Sequence, residues 1–408
     1  MKLFTLPWMD GFHCLCGDCT LNCCEGWMVP LDDEDRKRFR KEKGWLGIRL
    51  FFATGGGRRD HMNDDAGTCS FLGRDGLCRL QRKKGETFIP WACRHYPRFY
   101  RNYGAFEEVT LDLSCVFAAE LFLKHVDELE LVKTTGEAQT KPCSSNDDEE
   151  FLAFLLRLRR EMMDMTRRVF RGEYPDGEKS GGECPGGGRP GGGRPGGGRS
   201  VLRTCERYAG VMLSFAEYLQ DRCMRESEMA YDSVSFTAYV DKKMGVHGCS
   251  VAGDADGTSV DAPTEYGDTV APAPFGDIDE ADVEVLEKIC EASPFLLPSL
   301  GAYLSYYLLQ YFLRIYETYS FRRIVGLGLC HTNNVLRRVV EHVTENMSVR
   351  SQKKRERTSE QSPESLLAED DLALIIANYN RKNFFNDEAQ DEMYRRLDEI
   401  AQPLSIRD

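Results

Sequence analysis

Phe12-His13-Cys14-Leu15-Cys16-Gly17-Asp18-Cys19-Thr20-Leu21-Asn22-Cys23-Cys24-Glu25-Gly26-Trp27 sets five cysteines between positions 14 and 24. Nine of the sixteen cysteines fall within the first 116 residues. Thiolates gathered this closely repel one another unless a positive centre lies among them. A metal ion or an iron–sulfur cluster is the economical candidate, because both bind deprotonated sulfur. Working outward, Cys69, Cys78, Cys93 and Cys115 follow in contexts suited to ligands. Cys78 stands after the turn signal Arg74-Asp75-Gly76. Cys93 lies within Pro90-Trp91-Ala92-Cys93-Arg94-His95-Tyr96-Pro97-Arg98, and Cys115 opens a helical stretch. Adjacent cysteines such as Cys23 and Cys24 point apart, so one can ligate while the other packs or serves a second site.

The spacing bears on the metal. Structural zinc favours paired C-x2-C knuckles, and here Cys16-x2-Cys19 alone has that spacing. The dispersed remainder leans toward an iron–sulfur cluster, which accepts ligands scattered along a chain. The three-cysteine signature of radical chemistry on S-adenosylmethionine is missing, since Cys19-x3-Cys23 is followed by Gly26. A dinucleotide-type glycine turn is also missing: Gly326-Leu-Gly328, the nearest match, lies in a helical stretch.

The chain has 408 residues and a formal charge of −13, with 41% hydrophobic and 29% charged residues. Residues 1–116 hold 18 Lys/Arg and 16 Asp/Glu, about +2, which leaves −15 on the remainder. An acidic body argues against nucleic-acid binding, which needs a basic surface. The first ten residues lack the apolar core of a signal peptide. The longest apolar stretch, Phe295 to Leu309, is broken by Pro298 and Ser299 and falls short of the roughly 18–20 residues of a membrane span. The expectation is a cytoplasmic protein with no membrane partner, in a compartment where dense cysteines hold metal rather than form disulfides.

The expected fold is mainly α: a small, irregular, cysteine-rich metal-binding domain (1–116) packed on a helical body (117–408). Helical periodicity runs over Leu113–Val132, Glu149–Phe170, Val201–Arg225, Leu300–Tyr319, Arg322–Glu345, Pro363–Asn378 and Glu388–Ile400. The tyrosine stripe at 303, 306, 307, 311, 316 and 319 reads as a helix in an aromatic core. Three copies of Pro-Gly-Gly-Gly-Arg between 185 and 199 cannot bury a core. Disordered insertions are expected at about 176–200, 245–279 and 348–364.

The order Phe12-x-Cys14-x4-Cys19-x3-Cys23-Cys24-x-Gly26-Trp27, Cys69-Ser-Phe-Leu72, Gly76-Leu77-Cys78-Arg-Leu-Gln81, Gly85-Glu86, Cys93-Arg94-x-Tyr96-Pro97-Arg98 and Leu111-x-Leu113-Ser114-Cys115 resembles the flagellin lysine N-methylase family. That family sits within a broader CxxCxxCC class of zinc- or iron-chelating proteins. The resemblance covers about 105 residues. It leaves Cys16 outside the pattern, and Val116 stands where a proline is expected. It implies methyl transfer from S-adenosylmethionine to lysine ε-amines of flagellin, with an iron–sulfur cluster, 4Fe-4S first and zinc as the alternative. The metal positions it implies are Cys14, Cys19, Cys23, Cys24, Cys69, Cys78, Cys93 and Cys115.

Direct displacement needs a neutral amine, and bringing a lysine from a pKa near 10.4 to pH 7 costs about 4.6 kcal/mol. Burial or a general base can supply this. Tyr96 and Glu86, in the matched segment, are the candidates for orienting the amine. Arg94 and Arg98 are the candidates for a fork on the cofactor's carboxylate. The alternative is a metal-binding protein without catalysis, in which all four have structural roles.

Overall fold

The computed structural model describes residues 2–25, 29–62, 68–142, 148–174, 198–225, 230–244, 280–354, 366–383, 390–393 and 395. Among them are six strands: β1 (Lys2–Thr5), β2 (Val29–Pro30), β3 (His61–Met62), β4 (Arg98–Asn102), β5 (Phe106–Leu111) and β6 (Val132–Thr134). The first helices are α1 (Asp33–Lys41), α2 (Gly44–Ala53), α3 (Arg79–Lys84), α4 (Trp91–His95) and α5 (Val116–Lys124). Next come α6 (Glu149–Phe170), α7 (Gly198–Arg225), α8 (Phe236–Met244) and α9 (Glu280–Ala292). The last are α10 (Leu296–Tyr311), α11 (Ile315–Thr318), α12 (Phe321–Lys354) and α13 (Glu369–Asn383). The protein is mainly α, as its periodicity predicts. No helix among the described residues is long and apolar enough to cross a membrane.

The chain forms two compact units. The first comprises Met1–Pro142 with Glu369–Ala389, and the second Cys143–Ala368 with Gln390–Asp408. In the first, four strands lie in the order β4-β5-β1-β6. β1 runs parallel to β5 (Phe4 opposite Glu108), antiparallel to β6, and β4 and β5 form a hairpin. Gly104 turns that hairpin at φ 82°, a conformation that glycine adopts without steric cost. The fully buried Glu107 carboxylate accepts from the amides of Gln139 (2.9 Å) and Thr140 (3.0 Å), so its desolvation is compensated. This ties the segment after β6 to the sheet.

The helical stretch expected over Leu113–Val132 is shorter. α5 ends at Lys124, and Val132 enters β6 instead, because β1 offers an unpaired edge there. α13, from far along the chain, packs on α5 within this unit. α1 starts at a capping box: Asp32 accepts from the Asp35 amide (2.6 Å), and the Asp35 side chain returns to the Asp32 amide. A second core joins Phe39 of α1 and Leu46, Leu50 and Ala53 of α2 to Val29, Leu31, Met62, Phe71, Leu80 and Ile89.

The second unit is helical throughout its described residues. α10 is buried on all sides, and α6, α12 and the 3-10 turn at 312–314 pack around it. Close approach is possible because Gly301 and Gly328 lack side chains. A Cβ on Gly301 would lie 2.4 Å from Phe170 Cβ, and one on Gly328 would lie 2.6 Å from the Tyr307 ring. Gly328 is therefore a packing glycine inside α12, not part of a nucleotide loop. Tyr303, Tyr306, Tyr307 and Tyr316 of the stripe are core residues, whereas Tyr319 is 49% exposed and ends α11 at φ 54°. Glu161 of α6 caps α8, accepting from the amides of Phe236 (2.8 Å) and Thr237 (3.2 Å). α12 extends to Lys354, into the stretch expected to be loose from 348 onward. The remainder of that stretch, nearly all of 176–200, and 245–279 lie outside the described residues, as does most of the helix expected at Glu388–Ile400.

His331 in α12 is buried, and desolvation lowers its pKa from 6.5 to about 3. Between those values the unfolded chain holds a proton that the folded chain does not, so stability falls as pH drops below 6.5. The expected contribution is about 1.4 kcal/mol per pH unit, or about 2 kcal/mol by pH 5. Urea unfolding followed by helical circular dichroism at pH 7 and pH 5 measures it. His331→Asn should flatten the pH slope whatever it does to stability at pH 7. An unchanged slope would remove the assignment.

Candidate metal centre

Four short segments carry the cysteines of the first unit, and each is held by identifiable bonds. Residues 22–24 turn through Asn22, whose Oδ1 accepts from the Cys24 amide at 2.9 Å. The Cys69 amide donates to the Cys24 carbonyl at 2.8 Å, and Glu25 bridges to Thr68 beside it. Leu72 bridges to Cys78, with Gly76 at φ 74° making the turn between them. Cys78 then caps α3, its sulfur accepting from the Gln81 amide at 3.5 Å.

Cys93 rides on α4, which is fixed by α1. Buried Asp35 accepts from the Trp91 amide at 3.0 Å and pairs with Arg38. Arg38 in turn donates to the Ile89 carbonyl at 3.1 Å. Cys115 precedes α5, where the Asp112 carboxylate accepts from the Ser114 amide at 2.8 Å. Tyr96 hydroxyl and Ser114 Oγ share a hydrogen bond of 3.1 Å, joining the Cys93 segment to the Cys115 segment. The Tyr96–Pro97 peptide bond is cis.

The sulfurs fall into two neighbourhoods, which meet where Cys16 has Cys23 as a charged neighbour. Cys24, Cys69, Cys78 and Cys93 pack against one apolar cluster, that of α1 and α2. The Cys24 thiol is shared between the Cys23 and Cys69 sulfurs. That hydrogen bond lowers the pKa of both acceptors to about 7 and raises that of Cys24. Burial pushes the Cys78 and Cys93 thiols up, and the Cys69 and Cys23 sulfurs add to both shifts. Cys14, Cys16, Cys19 and Cys115 form the other group. The Cys16 amide donates to Cys14 Sγ at 3.3 Å. Burial raises the Cys115 thiol to about 12, with Cys19 and Cys14 as its charged sulfur neighbours.

No three His, Cys, Asp or Glu side chains among the described residues are arranged to hold a metal ion as they stand. The donor chemistry nonetheless suits a thiophilic centre. The nine thiols are free of disulfides, hydrogen bonding from the Cys24 thiol favours the thiolate of Cys23 and Cys69, and backbone amides donate to Cys14 and Cys78 sulfur. Arg94 Nε, one residue from Cys93, is buried with no hydrogen-bond acceptor.

The four other candidates fall in different settings. Tyr96 is half-buried, and desolvation of its hydroxyl pushes its pKa well above the usual tyrosine value. Glu86 is exposed on the 3-10 turn 86–88. Arg94 is half-buried in α4, and the exposed Arg98 places its guanidinium 5.7 Å from the centre of the Phe12 ring. His13 packs at a tilt on Phe117 (ring centres 4.5 Å apart), His61 pairs with Asp60 (2.9 Å), and His95 stacks on Trp91 (4.1 Å).

One residue that holds these segments has no signal in the N-terminal sequence. Arg381 of α13 donates to the Asn22 carbonyl at 2.6 Å and to the Ser114 carbonyl at 3.5 Å. Each carbonyl is one residue from a cysteine, and the guanidinium also helps to lower the Cys23 pKa. No local pattern marks Arg381. Asn22 was findable as a turn residue before a cysteine pair, and Asp35 through the Asp32-x-x-Asp35 cap.

Among known proteins, the chain is similar to a lysine-N-methylase of Salmonella choleraesuis, with 26% identity over 144 residues, 32% of this chain and 34% of that protein. The lysine-N-methylase of Salmonella typhimurium matches to the same extent. The flagellar biosynthetic protein FliU of Salmonella muenchen is 26% identical over 140 residues, 29% of this chain and 76% of that protein. The chain spans about a third of the length of the two methylases. No family model matches, and no solved structure matches.

Proposed function

We propose that this chain is a protein-lysine N-methyltransferase that carries a cysteine-bound iron–sulfur cluster, takes S-adenosylmethionine as methyl donor and acts on flagellin. The observation that carries the reading is the gathering of Cys24, Cys69, Cys78 and Cys93 at one apolar core, with the Cys23 sulfur as a charged neighbour of Cys69, Cys78 and Cys93, in a chain similar to lysine-N-methylases over about a third of its length. Cys23, Cys69, Cys78 and Cys93 are the proposed cluster ligands, and Cys24, whose thiol is shared between the Cys23 and Cys69 sulfurs, packs on the same core. Apolar walls limit water access, which helps to set a cluster's potential. S-adenosylmethionine supplies the methyl group.

The chain's own task is to bring a lysine amine in its neutral form and aligned for transfer: the ε-nitrogen would bond to the methyl carbon and shed a proton, while the methyl–sulfur bond breaks and S-adenosylhomocysteine leaves with the electron pair. Tyr96 serves as a neutral hydrogen-bonding group for that amine rather than as a base, since burial keeps it protonated. Glu86, exposed, is the proton acceptor of the pair. Arg94 and Arg98 are the proposed fork for the donor's carboxylate, with the unpaired Arg94 Nε as the available hydrogen-bond donor.

Anaerobically purified protein incubated with S-adenosylmethionine and flagellin should add whole methyl increments to flagellin, read by intact mass. Arg94→Met should lower that yield by more than tenfold, chiefly through KM for the donor. Flagellin of unchanged mass under both oxidised and reduced conditions would overturn the reading. A second reading, metal binding without catalysis, draws on the confinement of the likeness to about a third of the chain. It predicts bound metal and no methylated product.

A further inference from the structure

We propose that the outer face of α2, with the cations around it, docks the protein on an anionic phospholipid surface. The proposal is independent of the methyl-transfer reading and of where a metal binds. α2 is apolar on two opposite faces. Leu46, Leu50 and Ala53 are buried in the core shared with the cysteine segments. Trp45, Ile48, Phe51 and Phe52 fall on the opposite side, within an arc of about 120° at about 3.6 residues per turn. They are 73%, 48%, 58% and 73% exposed. Four of the nine large hydrophobic residues exposed among the described residues thus share one helix face. The three rings alone leave roughly 300–500 Å² of apolar surface in water, the size of patch that marks an interaction site.

Charge surrounds this patch. Residues 36–59 hold nine Lys/Arg and one Asp/Glu, a net +8 in a chain of −13. The one carboxylate, Glu42, is committed to Lys84 at 2.8 Å. Arg40, Lys41, Lys43 and Arg58 are exposed, and Lys43 caps the start of α2. The turn after α2 brings cations to the rings. Gly55, Gly56 and Gly57 hold φ at 57°, 73° and 75°, and the Arg59 amide closes the turn on the Thr54 carbonyl at 3.0 Å. A Cβ on Gly56 would lie 3.3 Å from the Phe51 ring, and one on Gly57 would lie 3.3 Å from Arg40 Nε. Only bare backbone therefore separates that ring from the Arg40 guanidinium, which donates to the Gly57 carbonyl at 3.0 Å. Arg36 and Arg40 line a cavity of about 370 Å³ beside Phe51, with room for a headgroup phosphate.

This pairing selects the occupant. Apolar rings within a cationic rim match an interface where acyl chains lie beneath anionic headgroups, a depth that tryptophan favours. A helix lying in the plane of that interface needs no spanning length. A second copy of the chain would set one +8 surface against another. Base edges and peptide groups call for polar, uncharged side chains among the rings. Between Lys43 and Arg59 the one Ser, Thr, Asn, Gln, Tyr or His is Thr54, which is buried and donates to the Leu50 carbonyl at 2.9 Å.

The test is flotation of the full chain with vesicles of phosphatidylcholine alone and of equimolar phosphatidylcholine and phosphatidylglycerol. Partitioning onto the anionic vesicles should be at least tenfold greater. It should fall at least tenfold at about 1 M salt, where the Debye length is about 3 Å. Lipids brominated in their acyl chains should quench part of the tryptophan fluorescence of wild type, and Trp45→Phe should bind without that quenching. Ile48→Ser with Phe52→Ser, and separately Arg40→Glu with Lys43→Glu, should each cut partitioning at least tenfold while circular dichroism stays unchanged. If a variant misfolds, the salt dependence and the quenching in wild type decide. No partitioning onto anionic vesicles, undiminished partitioning of the folded variants, or the same quenching in Trp45→Phe as in wild type would overturn the proposal. So would binding of oligo(dT), or a dimer broken by Phe52→Ser, in a protein that ignores the vesicles.

Discussion

Cys69→Ser is expected to abolish the proposed iron–sulfur centre, with iron and sulfide falling below a tenth of the wild-type content. Cys69 is the most enclosed of the nine N-terminal thiols at 7% exposure, and it lies between the Cys24 segment and the turn that carries Cys78. Serine is nearly the same size, so packing survives. Its oxygen is a harder donor that stays protonated at neutral pH, and it makes a poor ligand for a thiophilic centre. The hydroxyl also loses the polarisable contact with Cys24. An imperfectly paired hydroxyl against Phe71 and Leu80 costs about 1–3 kcal/mol. The loss of metal-linked stability adds to this, since a ligand bound only by the folded state stabilises it. Iron and sulfide analysis, with the visible spectrum, measures the first effect. Full iron content in a folded Cys69→Ser protein would remove Cys69 from the ligand set.

The second large effect belongs to Arg381→Met. Methionine keeps the apolar stem but removes both hydrogen bonds to the carbonyls of Asn22 and Ser114. A hydrogen bond from a charged group is worth about 1.5–3 kcal/mol. The 2.6 Å contact should count in full and the 3.5 Å contact for little, so about 2–3 kcal/mol of stability is expected to go. Arg381→Lys should recover part of this, because an ammonium restores the charge but not the two-armed geometry. All four tryptophans lie between positions 8 and 91, so urea unfolding followed by indole fluorescence reports the first unit selectively. A midpoint equal to wild type would show that α13 is held to α5 by apolar packing alone. Metal content should fall with stability, because the guanidinium anchors the segments that present Cys23 and Cys115.

Several elements could be read directly from the chain because their causes are local. The helix Glu149–Phe170 is found where its amphipathic period and the Asp148 cap place it, its side chain accepting from the Phe151 amide at 2.9 Å. Helix periodicity over 201–225 and the core role of the tyrosine stripe follow from the same short-range pattern. α5 was overread, since nothing within Leu113–Val132 announces that β1 claims residues 132–134 for its edge. α12 was underread at its far end, where charged residues of good helix propensity carry the helix to Lys354.

By itself the sequence determined that sulfur is concentrated in the first 116 residues and that the rest is helical, because thiol density and apolar period are properties of neighbours along the chain. Which sulfur meets which was decided by tertiary structure alone. The apolar floor shared by Cys24, Cys69, Cys78 and Cys93 comes from α1 and α2, which contain no cysteine. The cation that holds the Asn22 and Ser114 carbonyls comes from Arg381, 359 residues beyond Asn22. Contacts across such separations depend on how whole elements pack, and no spacing within a segment encodes them.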